Sequence, residues 1–371
     1  MAKSKIEWTD RVWNPVTGCT PVSPGCQNCW AKSMAISIQR QERARAEKAA
    51  KEGKTIKPTG YPTEGDPFVV TYHEDRVVEP LRYKKPSKTF VCSMGDLFHE
   101  EVLRNIQTLI WGIMAGCHDQ TFLVLTKRPE RMSDFLNWVT KKDPTKALGW
   151  ALHNAPINYP RAIDLNPFSW PLKNVWLGVT AENQEMADKR IPILLETPAA
   201  VRFVSVEPML GPVDLEVVPC GACNHQGNIV VSWNENGRCS RCDGRRFEWP
   251  DWVICGGESG YDARPAHPDW IRNLRDQCKE NNVPYFFKQW GAWVACEQKE
   301  HGEDIILAPQ VPIPVREIKE MRTMTPDGKL GDEIQMTPPV PEGQVIMAKV
   351  GKKNAGHELD GKEIMEWPTV K

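Results

Sequence analysis

A chain of 371 residues, 40% hydrophobic and 26% charged, has room for one large α/β barrel with insertions or for two ordinary domains. Its formal net charge of −1 gives no global attraction to nucleic acid, and no run approaches the roughly 20 apolar residues of a membrane span. The first seven residues lack the apolar core of an export signal, so a cytoplasmic protein without membrane association is expected; there its twelve cysteines stay reduced, favouring metal or redox chemistry over disulfides.

The first apolar run, Val12-Trp13, precedes Cys19, Cys26 and Cys29. Pro21 and Pro24 stiffen the loop between Cys19 and Cys26, and Gly25 turns it. Three thiolates so close in sequence can bind three irons of a cubane cluster and leave one iron open. A zinc ion completed by a distant fourth ligand and a Cys26–Cys29 dithiol are the alternatives. Residues 31–54 have helical composition with Gly53 as the stop, and 60–67 read as a loop.

Short apolar runs then alternate with helix-length stretches. The runs at 89–92, 121–125, 175–179, 202–206, 252–255 and 285–287 are predicted strands. The amphipathic stretches at 102–115, 183–195 and 270–281 are predicted helices. Runs without strict alternation suit strands buried on both faces of a parallel sheet. The pattern over residues 1–296 predicts an α/β fold, a partial or full (β/α) TIM-like barrel.

Polar groups follow each run: Ser93, Gly95 and Asp96; Lys127 and Arg128; Thr180, Glu182 and Asn183; Glu207; Gly256, Gly257 and Glu258; and Lys288. In barrels the catalytic groups stand at these strand ends. For any one carboxylate, a solvated loop or an ion pair to Lys127, Arg128 or Lys288 is the simpler account. The succession favours a shared site.

Residues 219–250 interrupt the pattern with Cys220, Cys223, Cys239 and Cys242, two CxxC pairs spaced as in a zinc ribbon. A second iron–sulfur cluster is the rival, with His225 as a possible replacement ligand. Arg238, Arg241, Arg245 and Arg246 cluster in the same insert. Residues 297–371 form a Pro- and Gly-rich extension; 297–345 are expected to be irregular or hairpin-bearing, with a turn at Thr325-Pro326-Asp327-Gly328. Cys92, Cys117, Cys255, Cys278 and Cys296 read as buried small hydrophobes.

The pattern Asn14-Pro15…Gly18-Cys19…Cys26…Cys29-Trp30-Ala31 resembles the cluster loop of radical SAM enzymes, in particular the branch containing spore photoproduct lyase. Six residues separate the first two cysteines where the superfamily commonly has three, and Asn28 stands where an aromatic usually precedes the third. Further segments, among them Ser93-Met94-Gly95-Asp96-Leu97-Phe98-His99, Leu125-Thr126-Lys127-Arg128-Pro129 and Phe287-Lys288-Gln289-Trp290-Gly291, resemble a three-cysteine family of phages and prophages of unknown function.

The first resemblance implies a [4Fe–4S] cluster on Cys19, Cys26 and Cys29, with S-adenosylmethionine (SAM) on the open iron and a flavodoxin or ferredoxin as electron donor. It implies that Ser93, Gly95 and Asp96 receive the SAM amino group, and that Thr180, Glu182 and Asn183 hold the ribose. Gly256, Gly257 and Glu258 would approach the adenine or the substrate, and Trp30 would offer a stacking surface. Lys127, Arg128, Glu207 and Lys288 are then the candidate substrate-binding groups. A nucleotide or nucleic-acid substrate is expected, against the alternatives of a peptide or metabolite, or of a non-enzymatic, metal-stabilised nucleic-acid-binding protein.

Overall fold

In the computed structural model the chain opens with β1 (Arg11–Trp13) and a short β2 (Val16–Thr17), then passes through the cysteine loop into α1 (Trp30–Lys51). β3 (Thr71–Tyr72) pairs antiparallel with β2 and leads into α2 (Glu74–Val77). Strand and helix then alternate through β4 (Lys88–Val91), α3 (Arg104–Ala115), β5 (Thr121–Thr126), α4 (Pro129–Lys141) and α5 (Pro144–Asn154). The series continues with β6 (Val175–Thr180), α6 (Gln184–Glu196), β7 (Val201–Val206), β8 (Trp252–Gly256), α7 (Pro268–Glu280) and β9 (Tyr285–Gln289). The structure describes residues 4, 6–55, 60–155, 158, 163, 165, 168–217, 247–298, 305–307, 318–334 and 343–369.

All seven apolar runs are strands of one sheet, in the order β1-β4-β5-β6-β7-β8-β9. The pairings with a described register, β1–β4, β4–β5, β7–β8 and β8–β9, are parallel. The α/β expectation therefore holds as a parallel seven-stranded sheet of half-barrel type with its helices. β6 and β8 are buried at every position, which is why their sequences run apolar without alternating. Among the described residues no helix is long and apolar enough to cross a membrane. The four cysteines of the expected zinc ribbon, and the arginines beside them, lie outside the described residues.

Contacts divide the chain into two compact units. The first is Met1–Gly178 with Thr197–Ala200. Its core holds Phe98, Trp111 and Phe135 with ring centroids 5.0–6.2 Å apart. α3 is buried from Gln107 to Ala115. Proline occupies the first position of both α4 and α5, where a missing N–H costs nothing, and the Asp143 carboxylate accepts from Lys146 N in front of α5. α1 ends beside Gly53, which takes the left-handed φ of +65° that stops the helix.

The second unit is Val179–Glu196 with Val201–Lys371. Asn183 Oδ1 accepts from Met186 N to start α6, and His267 Nδ1 accepts from Asp269 N to start α7. Past β9 come β10 (Trp293–Gln298), β11 (Ile305–Leu307), β12 (Glu320–Met324), β13 (Leu330–Glu333) and β14 (Val345–Lys349). The extension expected to be irregular or hairpin-bearing is hairpin-bearing, and with β10 it forms a five-stranded antiparallel sheet in the order β11-β10-β14-β12-β13. The turn at Thr325–Gly328 joins β12 to β13, with Gly328 at φ +89°. After α8 (Lys352–Ala355), β15 (Glu358–Leu359) and β16 (Lys362–Glu363), the chain returns along β9. Phe287 N donates to Ile364 O, Trp252 Nε1 donates to Glu366 O, and Trp367 stacks on Trp252 at 4.8 Å. The edge of β9 is thereby covered, removing an open strand that could template aggregation.

Candidate functional site

The cysteine loop is tied down before the first cysteine is reached. Trp13 O accepts from Cys92 N at 2.8 Å, and Trp13 Nε1 donates to Arg76 O at 2.9 Å. Asn14 Oδ1 accepts from Met94 N at 3.0 Å and from Ser93 Oγ at 3.2 Å, locking the loop after β4 against the loop after β1. Gly18 N donates to Met94 O at 2.9 Å, Gly18 forms an isolated bridge with Gly95, and Cys19 N donates to Phe68 O at 3.2 Å. Thr17 Oγ1 and His73 Nε2 lie 2.8 Å apart. Gly18 has φ +86°, and a Cβ there would stand 2.1 Å from Val69 O. Only glycine satisfies both the angle and the approach.

Cys19, Cys26 and Cys29 are free and half-buried. Cys19 and Cys29 pack against one apolar cluster of Ala35, Phe68 and Met94. Cys26 Sγ lies 3.8 Å from Ser23 Oγ. Burial pushes the Cys19 thiol up to about 11, Asp96 pushes the same way, and the Arg128 cation opposes both. At neutral pH the metal-free Cys19 is therefore protonated, so a metal bound there must displace a proton. Among the described residues no three Cys, His, Asp or Glu groups are drawn together closely enough to hold a metal ion. The donor set nonetheless fits an iron–sulfur cluster: three soft, partly exposed thiols in one anchored loop.

Behind Cys19 lies a buried polar network that connects β4, β5 and the cysteine loop. Arg128, 5% exposed, directs Nη1 to Cys19 Sγ at 3.2 Å and to Asp96 Oδ2 at 3.3 Å. Its Nη2 donates to Thr20 O and Thr20 Oγ1 at 3.1 and 2.9 Å, and its Nε to the Glu100 carboxylate at 3.1 and 3.2 Å. A guanidinium has five N–H donors, and these acceptors engage all of them. Arg128 is thus an internal strut, with no donor left over for a substrate phosphate. Asp96, also buried, accepts from Thr126 Oγ1, Lys127 N and Phe98 N besides Arg128. The buried His99 reaches Thr20 Oγ1 at 2.9 Å through Nε2. Burial and the neighbouring Arg128 lower the His99 pKa, which favours the neutral ring.

Apart from Trp30, the remaining expected site residues among those described fall in the second unit, where each strand-end carboxylate already has a cation. Glu182 Oε2 lies 2.7 Å from Arg190 Nη1, with both side chains buried, and the same Nη1 donates to Thr180 O at 2.8 Å. Glu207 pairs with Lys288 at 2.9 Å. Glu258 accepts from Arg264 Nε and N at 2.8 Å and from Nη2 at 2.6 Å. Gly256 leaves room for the Glu207 carboxylate, where a Cβ would sit 2.8 Å from Oε1. Gly257 lies against Trp290, where a Cβ would be 1.8 Å from the carbonyl oxygen. An open groove of about 650 Å³ lined by Gln184, Trp270, Gln277 and Glu280 also lies in this unit, and none of the expected site residues lines it.

Sequence reasoning missed Thr20, His99, Glu100 and Thr126 as members of the network around Cys19. Local spacing does not point to the network, since the Arg128 guanidinium contacts span 28 to 109 residues and Thr126 meets Asp96 across 30. Trp30 opens α1 directly after Cys29 and is 49% exposed, so its indole is available for stacking.

The chain belongs to the family described as a protein of unknown function (DUF5131), which matches residues 3–368. No curated protein and no solved structure matches the chain.

Proposed function

We propose that this member of the DUF5131 family is a radical SAM enzyme whose Cys19, Cys26 and Cys29 hold a [4Fe–4S] cluster. The observation that carries the reading is the cysteine loop itself, three partly exposed thiols anchored to the ends of parallel strands, with a guanidinium on the first sulfur. Bound there, the reduced cluster would supply one electron to the sulfonium of SAM, whose C–S cleavage would release methionine and a carbon radical able to abstract hydrogen from a substrate.

The residues of the chain bind, orient and shield. Asn14, Gly18 and Phe68 fix the loop from its backbone side. The Asp96 carboxylate is committed to Thr126 and Arg128, so in this reading it organises the pocket, while Ser93 and Gly95 approach the SAM amino group. In the same reading Thr180 and Asn183 would contact the ribose, Gly256 and Gly257 the adenine or substrate, and Trp30 would supply the stacking face, while Glu182 and Glu258, like Asp96, are committed to an arginine and shape their strand ends. Cys220, Cys223, Cys239 and Cys242 hold a structural zinc, and a flavodoxin or ferredoxin delivers the electron.

A nucleotide or nucleic-acid substrate is part of the same proposal. With Arg128 engaged internally, the charges for phosphate come from Lys127, Lys288 and the insert's arginines. Binding would then weaken steeply with salt.

Anaerobic reconstitution tests the cluster. About four irons per chain and a reduced-cluster paramagnetic signal that changes on adding SAM are expected. The triple variant Cys19→Ala, Cys26→Ala, Cys29→Ala should lose both. Retention of the signal in that variant would overturn the assignment.

A further inference from the structure

We infer that Arg128 is a positioning residue that sets the charge at Cys19 and, through it, the reduction potential of the group bound there. This rests on the cluster reading above. Arg128 follows β5 directly and is 5% exposed, so its cation acts across a short, poorly screened distance. Nη1 points at Cys19 Sγ at 3.2 Å, a geometry in which an N–H donor stabilises negative charge on sulfur. The guanidinium has little freedom to turn away, because Asp96, Glu100 and both Thr20 oxygens hold its other donors.

The network has two layers. Asp96 is buried and takes Arg128 from inside, whereas the Glu100 side chain is 60% exposed and takes it from outside. Charge can therefore be removed from either side of the same contact. Reducing a cluster adds an electron, so hydrogen bonds and positive charge at its sulfurs favour the reduced form. Neutralising Arg128 should make reduction harder, and neutralising Glu100 should make it easier. A role confined to holding the loop in place predicts no such opposition of sign.

Equilibrium redox titration of the reconstituted full-length protein with dithionite, followed by the paramagnetic signal, tests this without any turnover. At one fixed potential, Arg128→Gln should lower the reduced-to-oxidised ratio about tenfold, equivalent to about 59 mV for a one-electron couple. Glu100→Gln should raise the ratio roughly twofold, the smaller effect expected of an exposed charge. Arg128→Lys, which keeps the cation but has fewer donors, should stay nearer the wild type than Arg128→Gln. If Arg128→Gln binds no iron, Glu100→Gln decides, and an unchanged ratio there overturns the inference. Iron loss without any shift in potential also overturns it and leaves Arg128 as a strut. A wild-type protein that takes up no iron overturns the cluster reading and this inference together, whereas a normal cluster insensitive to both substitutions overturns this inference alone.

Discussion

Gly18 shows how much a single position contributes to the site. Its φ of +86° and the 2.1 Å approach of a would-be Cβ to Val69 O leave no relaxed conformation for any side chain. Gly18→Ala should destabilise the protein by about 2 kcal/mol or more, read from the midpoint of denaturant unfolding. It should also lower iron uptake, because Cys19 is the next residue. His73 makes a second, pH-dependent claim. Burial first, and then the Arg76 cation, push its pKa down from 6.5 to about 4. The fold thus requires neutral His73: its contribution is present above pH 6.5 and is lost as pH falls from there toward 4. His73→Gln should flatten that part of the thermal-stability profile between pH 6.5 and 4. An unchanged profile would show that the Thr17–His73 contact does not titrate with folding.

Elements differ in how openly the sequence announces them. The seven strands of the parallel sheet were legible as short apolar runs, most plainly β6 and β8, whose burial at every position forces an unbroken apolar sequence. The antiparallel sheet of the extension was not. β12 reads Glu-Met-Arg-Thr-Met and β13 reads Leu-Gly-Asp-Glu, partly exposed strands; the turn between them was legible, but the pairing of β12 with β14 is set by residues further along the chain. The strand-end acids were found by position, and two of the cations expected to pair with them do so, Arg128 with Asp96 and Lys288 with Glu207. The other two were not anticipated, Arg190 from nearly two turns into α6 and Arg264 from the loop before α7. The Glu182–Arg190 pair joins β6 to α6 with both side chains almost fully buried. Arg190→Met should cost about 3 kcal/mol by stranding a buried carboxylate, and Glu182→Gln added to it should recover part of that loss. A double variant no more stable than the single one would show that the two charges are not coupled.

At the scale of the whole molecule the proposed function implies two metals, iron in the N-terminal loop and zinc in the insert carrying Cys220, Cys223, Cys239 and Cys242. Elemental analysis of the purified protein should find zinc that survives Cys19→Ala, Cys26→Ala, Cys29→Ala and disappears when the insert's cysteines are replaced. Iron in place of zinc at the insert would make it a second cluster site. Spacing alone singles out the cysteines of both groups as candidate thiol ligands. The Arg128 network was not legible, because residues distant in sequence meet at Cys19 only once β4 and β5 are paired. The most direct test of the central claim is the anaerobic incubation of the reconstituted protein with SAM and dithionite, with 5′-deoxyadenosine measured by mass-resolved chromatography. The account predicts that the nucleoside forms with the wild type and is absent when Cys19, Cys26 and Cys29 are alanine. An iron-loaded wild-type protein that forms none, or equal amounts from wild type and triple variant, would contradict it.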